Sequence, residues 1–436
     1  MKKLFSVVTI FILSLMLISC GGEDEVPEGR TEINFWHMSP VGSDSFREMR
    51  ALITRFNDSQ EDVFVTGTGF SFWDYWDKIN IAISSRTAPD IGFHTIDNMV
   101  VRADAGVLYN VSELMANDNS ENQIEIDQFR ESQLDFLTYD DDYYALPLSA
   151  TTRVLYYNLD MFQELGYDES DVPTTWDELE TLAHEFDIVE DGDIVRIGFD
   201  PTYGNATYHG WLWQTGENFF DENLEPTLNT QTHVDTLEWI VNFNDQFTSG
   251  QLRSFGEANQ LLGINVFAAE KVAMIVDTDG LYKTIEDAGA TFNYGVAPIP
   301  IPDENGIRVN WGSGFSIEMY DNNRGDEAKK LATFEFLKFL MSYESQIEFA
   351  EATGWLTAHI QAMEDYTSDK PILSQILNEV DYAIDKVYVP YAPNWHAADW
   401  QTFYSQALDR SLTPSEALMQ ARELYLEKKE NYEATN

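Results

Sequence analysis

The sequence predicts an α/β protein built as two lobes, and three observations carry that prediction. The chain has 436 residues, whereas a single hydrophobic core stops growing at roughly 250–300 residues. Short apolar strands alternate along it with amphipathic helical stretches, the pattern of sheets covered by helices. Apolar residues make up 44% and aromatics 14% of the chain, ample for two packed interiors. The sole cysteine, Cys20, rules out an intramolecular disulfide, so packing must hold the fold.

The first segment is a processing signal. Lys2 and Lys3 precede an almost continuous apolar run, Leu4 to Ile18, which ends in Ser19-Cys20. The run is shorter than the about 20 residues that span a bilayer, and its layout is that of a secretory leader. A cysteine at the cut point resembles the lipobox of bacterial lipoproteins, which implies residues 1–19 as signal peptide and Cys20 as the site of lipid attachment. Residues 20–30 are small, acidic and proline-containing, a flexible tether.

Ile33 and Phe35 alternate in the first strand, and Ser45 with Glu48 predicts a capping box before a helical face of Phe46, Met49, Ile53 and Phe56. Val63 to Val65 is a second strand; aromatic-rich Phe70 to Ile79 leads into a helix, and Asp90 to Phe93 starts a third strand. Val154 to Tyr157 reads as a buried strand, and Thr175 with Glu178 opens a helix at Trp176. Ile197 to Phe199, Val272 to Val276, Tyr294 to Ala297 and Phe315 to Ile317 are further strands. Asp326 to Met341 is a helix with Leu331, Phe334, Leu337 and Met341 on its apolar face. Thr413-Pro414-Ser415-Glu416 combines an N-cap, a proline at the first helical position and an acid at the third, marking a last helix.

Charge narrows the function. There are 75 acidic against 26 basic residues, a formal net charge of -49, so the surface repels nucleic acid. No Gly-x-Ser-x-Gly elbow, His-Glu-x-x-His helix or P-loop occurs in the sequence. The seven histidines are scattered, and Glu190-Asp191-Gly192-Asp193 lacks the spacing of a calcium loop. Neither a metal nor a cofactor is called for, and the chain reads as a binding protein rather than an enzyme.

A series of motifs then carries a resemblance. In order they are Ile33-Asn34-Phe35-Trp36-His37, Arg55-Phe56-Asn57, Thr87-Ala88-Pro89-Asp90-Ile91, Tyr144-Ala145-Leu146-Pro147 and Val154-Leu155-Tyr156-Tyr157-Asn158. There follow Pro173-Thr174-Thr175-Trp176-Asp177-Glu178-Leu179, Glu270-Lys271-Val272-Ala273-Met274, Tyr294-Gly295-Val296-Ala297-Pro298, Thr353-Gly354-Trp355-Leu356 and Ser415-Glu416-Ala417-Leu418. Through nearly its whole mature length the chain resembles the extracellular solute-binding proteins that deliver sugars and related polyols to ABC importers. The resemblance implies a type II periplasmic-binding-protein-like fold, its lobes joined by crossing strands around a ligand cleft. It implies an N-terminal lobe of residues 31–150 plus 313–360 and a C-terminal lobe of 151–312 plus 361–436. The chain would cross near Leu148 to Arg153, return near Arg308 to Gly314 and cross again after about Thr357.

The implied function is capture of a sugar, oligosaccharide or polyol by hinge closure and delivery to the importer's permease subunits. The protein would be exported, a monomer, and lipid-anchored to the cell membrane facing the periplasm or exterior. A surface glycoside hydrolase using two carboxylates and a sensory carbohydrate-binding lipoprotein are the alternatives. Sugars need aromatic platforms with carboxylates or amides, at loops where α/β sheets bind ligands. By resemblance, the expected contacts are Trp36 and His37 after the first strand, Asp97 after the third, Thr151 at the first crossing, and Trp213, favoured over Trp211. Trp311 and Gly312 at the return crossing, Trp355 and Trp395 complete the aromatic set. Of Trp73 and Trp76, one turn apart, one is expected in the core. Where the family usually has Gly-Pro-Trp, this chain reads Asp277-Thr278-Asp279-Gly280; Asp279 is an expected contact, and it opposes a phosphate ligand, since an anion needs cationic donors.

Overall fold

The computed structural model describes residues 26–263, 265–312, 314–322 and 325–435. Cys20 and the leader lie outside the described residues. The strands that build the lobes are β1 (Thr31–His37), β2 (Val63–Gly69), β3 (Ile91–Thr95), β4 (Ala145–Pro147), β5 (Arg153–Asn158), β6 (Met274–Thr278), β7 (Tyr294–Ala297), β8 (Asn310–Trp311), β9 (Phe315–Met319) and β10 (Ala383–Ile384). Two of the helices, α1 (Asp44–Ser59) and α2 (Phe72–Ser84), follow β1 and β2.

The N-lobe sheet runs β2-β1-β3-β9-β4, with β1, β2 and β3 parallel and β9 antiparallel to β3 and β4. Its core gathers Ile33, Phe35, Met49, Phe56, Phe93 and Leu146 with Phe334, Phe336 and Leu337 from the helix Glu327–Met341. The C-lobe sheet is the antiparallel trio β6-β5-β7. Its interior holds Leu155, Trp176, Trp211, Trp395, Trp400 and Tyr425. The fold is the two-lobed α/β architecture expected, and the two cores draw on segments far apart in sequence.

Three segments meet where the crossings are expected. Ser149 bridges Thr357 in antiparallel fashion, Ala150 N–H donates to Leu356 O at 2.8 Å, and Leu148 N–H donates to Phe315 O at 2.8 Å. The return crossing is pinned by the Thr152 hydroxyl donating to Asn310 Oδ1 at 2.7 Å and by Asn310 Nδ2 donating to Glu379 O at 3.1 Å. Gly312 donates its N–H to Ile384 O at 2.7 Å, and a side chain there would place Cβ 2.5 Å from that of Ala383. Only glycine lets the two backbones approach so closely.

Local signals and tertiary context part company in places. Both halves of the Thr175–Glu178 capping box form, and Thr413 with Glu416 exchange the same pair of bonds. Helix α1 instead takes Ser43 as N-cap, its Oγ accepting from Phe46 N, rather than Ser45. Ile197 to Phe199 contributes a single bridge, Ile197 to Val272, and not a strand. Leu331, expected on a buried face, is 49% exposed, while Phe336 and Leu340 are buried in its place.

Candidate ligand-binding cleft

The carboxyl ends of β1, β2 and β3 and the start of β9 lie on one edge of the N-lobe sheet, since His37 pairs with Gly69 and Thr95 with Phe315. Aromatic residues crowd that edge. Trp36 on β1 meets Phe70 edge-to-face at 5.0 Å. Phe72 and Trp73 open α2 with their rings 5.2 Å apart, and Trp73 is 78% exposed. Trp76 lies one turn on, stacked against Phe315 at 5.8 Å, and Phe315 meets Trp355 at 4.6 Å. The result is an aromatic band, with Phe72 and Trp73 exposed and the rest half-buried; among the described residues its one close cation is Lys78, whose Nζ lies 4.8 Å from the centre of the Phe70 ring. Ser71 caps α2 by accepting from Asp74 N, which sets the helix start where these rings emerge.

A buried ion pair fixes that edge from below. The Arg102 guanidinium grips both carboxylate oxygens of Glu318 on β9, from 2.5 to 3.1 Å, and also donates to Thr95 O at 2.8 Å. Asp97 sits in the single turn Ile96–Asn98 that follows; its side chain lies outside what the structure describes. His37 does not reach the band. It is 1% exposed, packed between Phe35 and Phe46, and burial pushes its imidazole down to about 3, keeping it neutral.

The C-lobe side is of a different kind. Trp311 on β8 has the Arg153 guanidinium 3.9 Å from its ring centre and Lys386 Nζ at 3.7 Å, while its Nε1 donates to Asp385 at 2.9 Å. Burial lowers Arg153 to about 10 against the opposing pull of Asp385, Asp279 and Asp277. Asp279 is 1% exposed; Oδ2 accepts from Leu356 N at 2.9 Å, and Oδ1 has no hydrogen-bond partner among the described residues. Burial raises its carboxyl to about 6, only partly offset by the Leu356 amide and Arg153.

The expected site residues thus separate. Trp36 and Trp355 stand at the aromatic edge, Thr151 and Gly312 at the crossings, and Trp311 and Asp279 in the C-lobe cluster. Trp213 lies on the helix Tyr208–Gln214 rather than in a loop, and both it and Trp211 are buried. Trp395 is 0% exposed, between Phe220 and Tyr425, so it packs the C-lobe core and does not line the late edge of the cleft. Sequence reasoning missed Phe72, Phe315, Arg153 and Asp385. The density of rings in Phe70-Ser71-Phe72-Trp73 was a usable signal for the first; the others depend on contacts distant in sequence. Among the described residues no group of three or more His, Cys, Asp or Glu is placed to hold a metal ion, and no helix is long and apolar enough to cross a membrane.

The profile of the family described as bacterial extracellular solute-binding protein matches residues 51–373. The chain belongs to that family. Its members and structural neighbours are binding proteins rather than enzymes. A binding protein of Brucella abortus (strain 2308) is 24% identical over 275 residues, 62% of this chain and 63% of that one, so the chain spans less than two thirds of its length. The sn-glycerol-3-phosphate-binding periplasmic protein of Agrobacterium fabrum is 24% identical over 352 residues, 77% of this chain and 76% of that one. Among solved structures, CpMnBP1 with mannotriose bound superposes with a TM-score of 0.76 at 20% identity, covering 91% of this chain and all of that one. At that identity the likeness is one of fold.

Proposed function

We propose that this chain is the substrate-binding lipoprotein of an ABC importer, taking a neutral sugar, oligosaccharide or polyol into the cleft between its lobes. The aromatic band at the N-lobe sheet edge, with Trp73 78% exposed beside Phe72, is the observation that carries this reading. Such rings match the apolar faces of sugars and repay burial on ligand closure. Mannotriose in the solved relative supports a carbohydrate. The glycerol-phosphate-binding relative favours a phosphate ester, but Arg153 and Lys386 are engaged on Trp311, and Asp385, Asp279 and Asp277 surround Arg153, which disfavours an anion.

Closure about the three crossings would bring the aromatic band against the C-lobe cluster, and the permease would read the closed shape. No ligand bond is broken. Cys20 carries the lipid that keeps the exported monomer near its permease, and the domain boundaries run as the resemblance implies. Calorimetric titration with mannotriose, maltotriose, tagatose and sn-glycerol 3-phosphate tests the reading, each ligand being recovered afterwards. Binding of a neutral sugar, recovered intact, is the expected result; binding of the phosphate ester alone, or turnover, overturns it.

A further inference from the structure

At the hinge, between the N-lobe and the segment around β10, lies a pocket with room for little more than a water-sized group. Gln133 enters it from the N-lobe, Thr151 and Gly312 from the crossings, and Asp385 from the C-lobe side. Gln133 is 8% exposed, and its Nε2 donates to Ser149 O at 3.1 Å. That bond fixes the amide, because the flipped orientation would set two oxygens against each other. Oε1 is thereby left buried with no hydrogen-bond partner among the described residues. Asp385 Oδ1 already accepts from Trp311 Nε1 and from Lys386 N, at 2.9 and 2.7 Å, and so holds the carboxylate in place. The Thr151 hydroxyl stands 3.5 Å from Ser149 Oγ.

The pocket therefore presents an amide oxygen and a carboxylate beside the hydroxyls of Thr151 and Ser132, so a group that both donates and accepts suits it. A phosphate or carboxylate offers only acceptors and would add its charge to that of Asp385. A hydroxyl fits both the size and the polarity. We propose that this pocket is a hydroxyl subsite of the cleft and that Gln133 is a specificity-determining residue, its Oε1 accepting from one hydroxyl of a neutral sugar while Asp385 faces that hydroxyl from the other lobe. This rests on the carbohydrate reading above and sharpens it. A hydroxyl held between residues of both lobes ties ligand identity to closure, because an analogue lacking it leaves the buried oxygen unmet.

The test titrates the wild type and Gln133→Met with mannotriose, maltotriose and tagatose, and then with monodeoxy analogues of whichever sugar the wild type takes. The expected result is a roughly tenfold weaker Kd in Gln133→Met, the loss of one buried hydrogen bond. One monodeoxy analogue loses the same factor against the wild type and none against the variant. Equal affinity in wild type and Gln133→Met overturns the subsite while leaving the carbohydrate reading standing. If the variant does not fold, the wild-type series decides, and the absence of any single hydroxyl whose deletion costs about tenfold overturns it. A wild type that binds none of the three sugars overturns the carbohydrate reading, and this one with it.

Discussion

Trp73 on the N-lobe edge keeps 78% of its surface uncovered, whereas Trp311 on the C-lobe side carries a cation near its ring and a second one close by, with its N–H spent on Asp385. Both are tryptophans beside a strand that ends at the cleft. Only the first offers a free ring for stacking; the second is a spacer that holds Arg153, Lys386 and Asp385 in register. The difference teaches that a platform is defined by what leaves its ring uncovered. In a chain with 26 basic against 75 acidic residues, two cations gathered at one indole are a local investment in structure.

The comparison is broken most severely from below the aromatic edge. Glu318→Ala leaves the Arg102 guanidinium buried without its carboxylate, and the loss of one partner of a buried pair costs about 3–5 kcal/mol. Urea denaturation should show that drop, and β9, which carries Phe315, should lose protection in hydrogen exchange. Trp73→Ala sharpens the contrast at about 2 kcal/mol, a roughly thirtyfold weaker Kd for the sugar taken up, the usual weight of a Trp anchor. Its unfolding midpoint should stay within about 0.5 kcal/mol of wild type, because the ring is exposed. An unchanged affinity would show that the band is not the platform.

The smallest effect concerns Asp279, whose folded pKa of about 6 lies above the ordinary carboxylate value. The folded state then binds protons more readily than the unfolded one between about pH 4 and 6. Its ionisation thus costs stability that appears as pH rises through that window and is fully present above it. Asp279→Asn keeps an oxygen for Leu356 N and should raise stability at pH 7 by about 1–2 kcal/mol. The gain should vanish toward pH 4 in unfolding curves taken across the window. Buried His37 works in the opposite sense. Burial lowers it to about 3, so its contribution is lost as pH falls below the unfolded value of about 6.5.

Much of the framework was legible in the sequence because it depends on near neighbours. Thr175 with Glu178 and Thr413 with Glu416 close their capping boxes over one helical turn, and the alternation of Ile33 and Phe35 needs only the strand's own period. The order of the motifs pointed to the lobes, and Leu148, Ser149 and Ala150, at the first expected crossing, bond to segments far along the chain. The band itself was half visible: Trp73 and Trp76 stand one turn apart, but which one is exposed depends on Phe315, which is remote in sequence.

By itself the sequence determined the two-lobe α/β organisation, its capped helices and the family to which the chain belongs. The lobes follow from chain length and periodicity, the caps from hydrogen bonds that span a few residues, and the family from the order of its motifs. Tertiary structure alone decided that Trp395 and Trp213 are packing residues, that His37 is sealed in the core, and that Trp311 has Arg153 and Lys386 over its ring while Trp73 lies open. Burial and charge at a ring are set by side chains brought together from distant segments, and no spacing within one strand or helix records them.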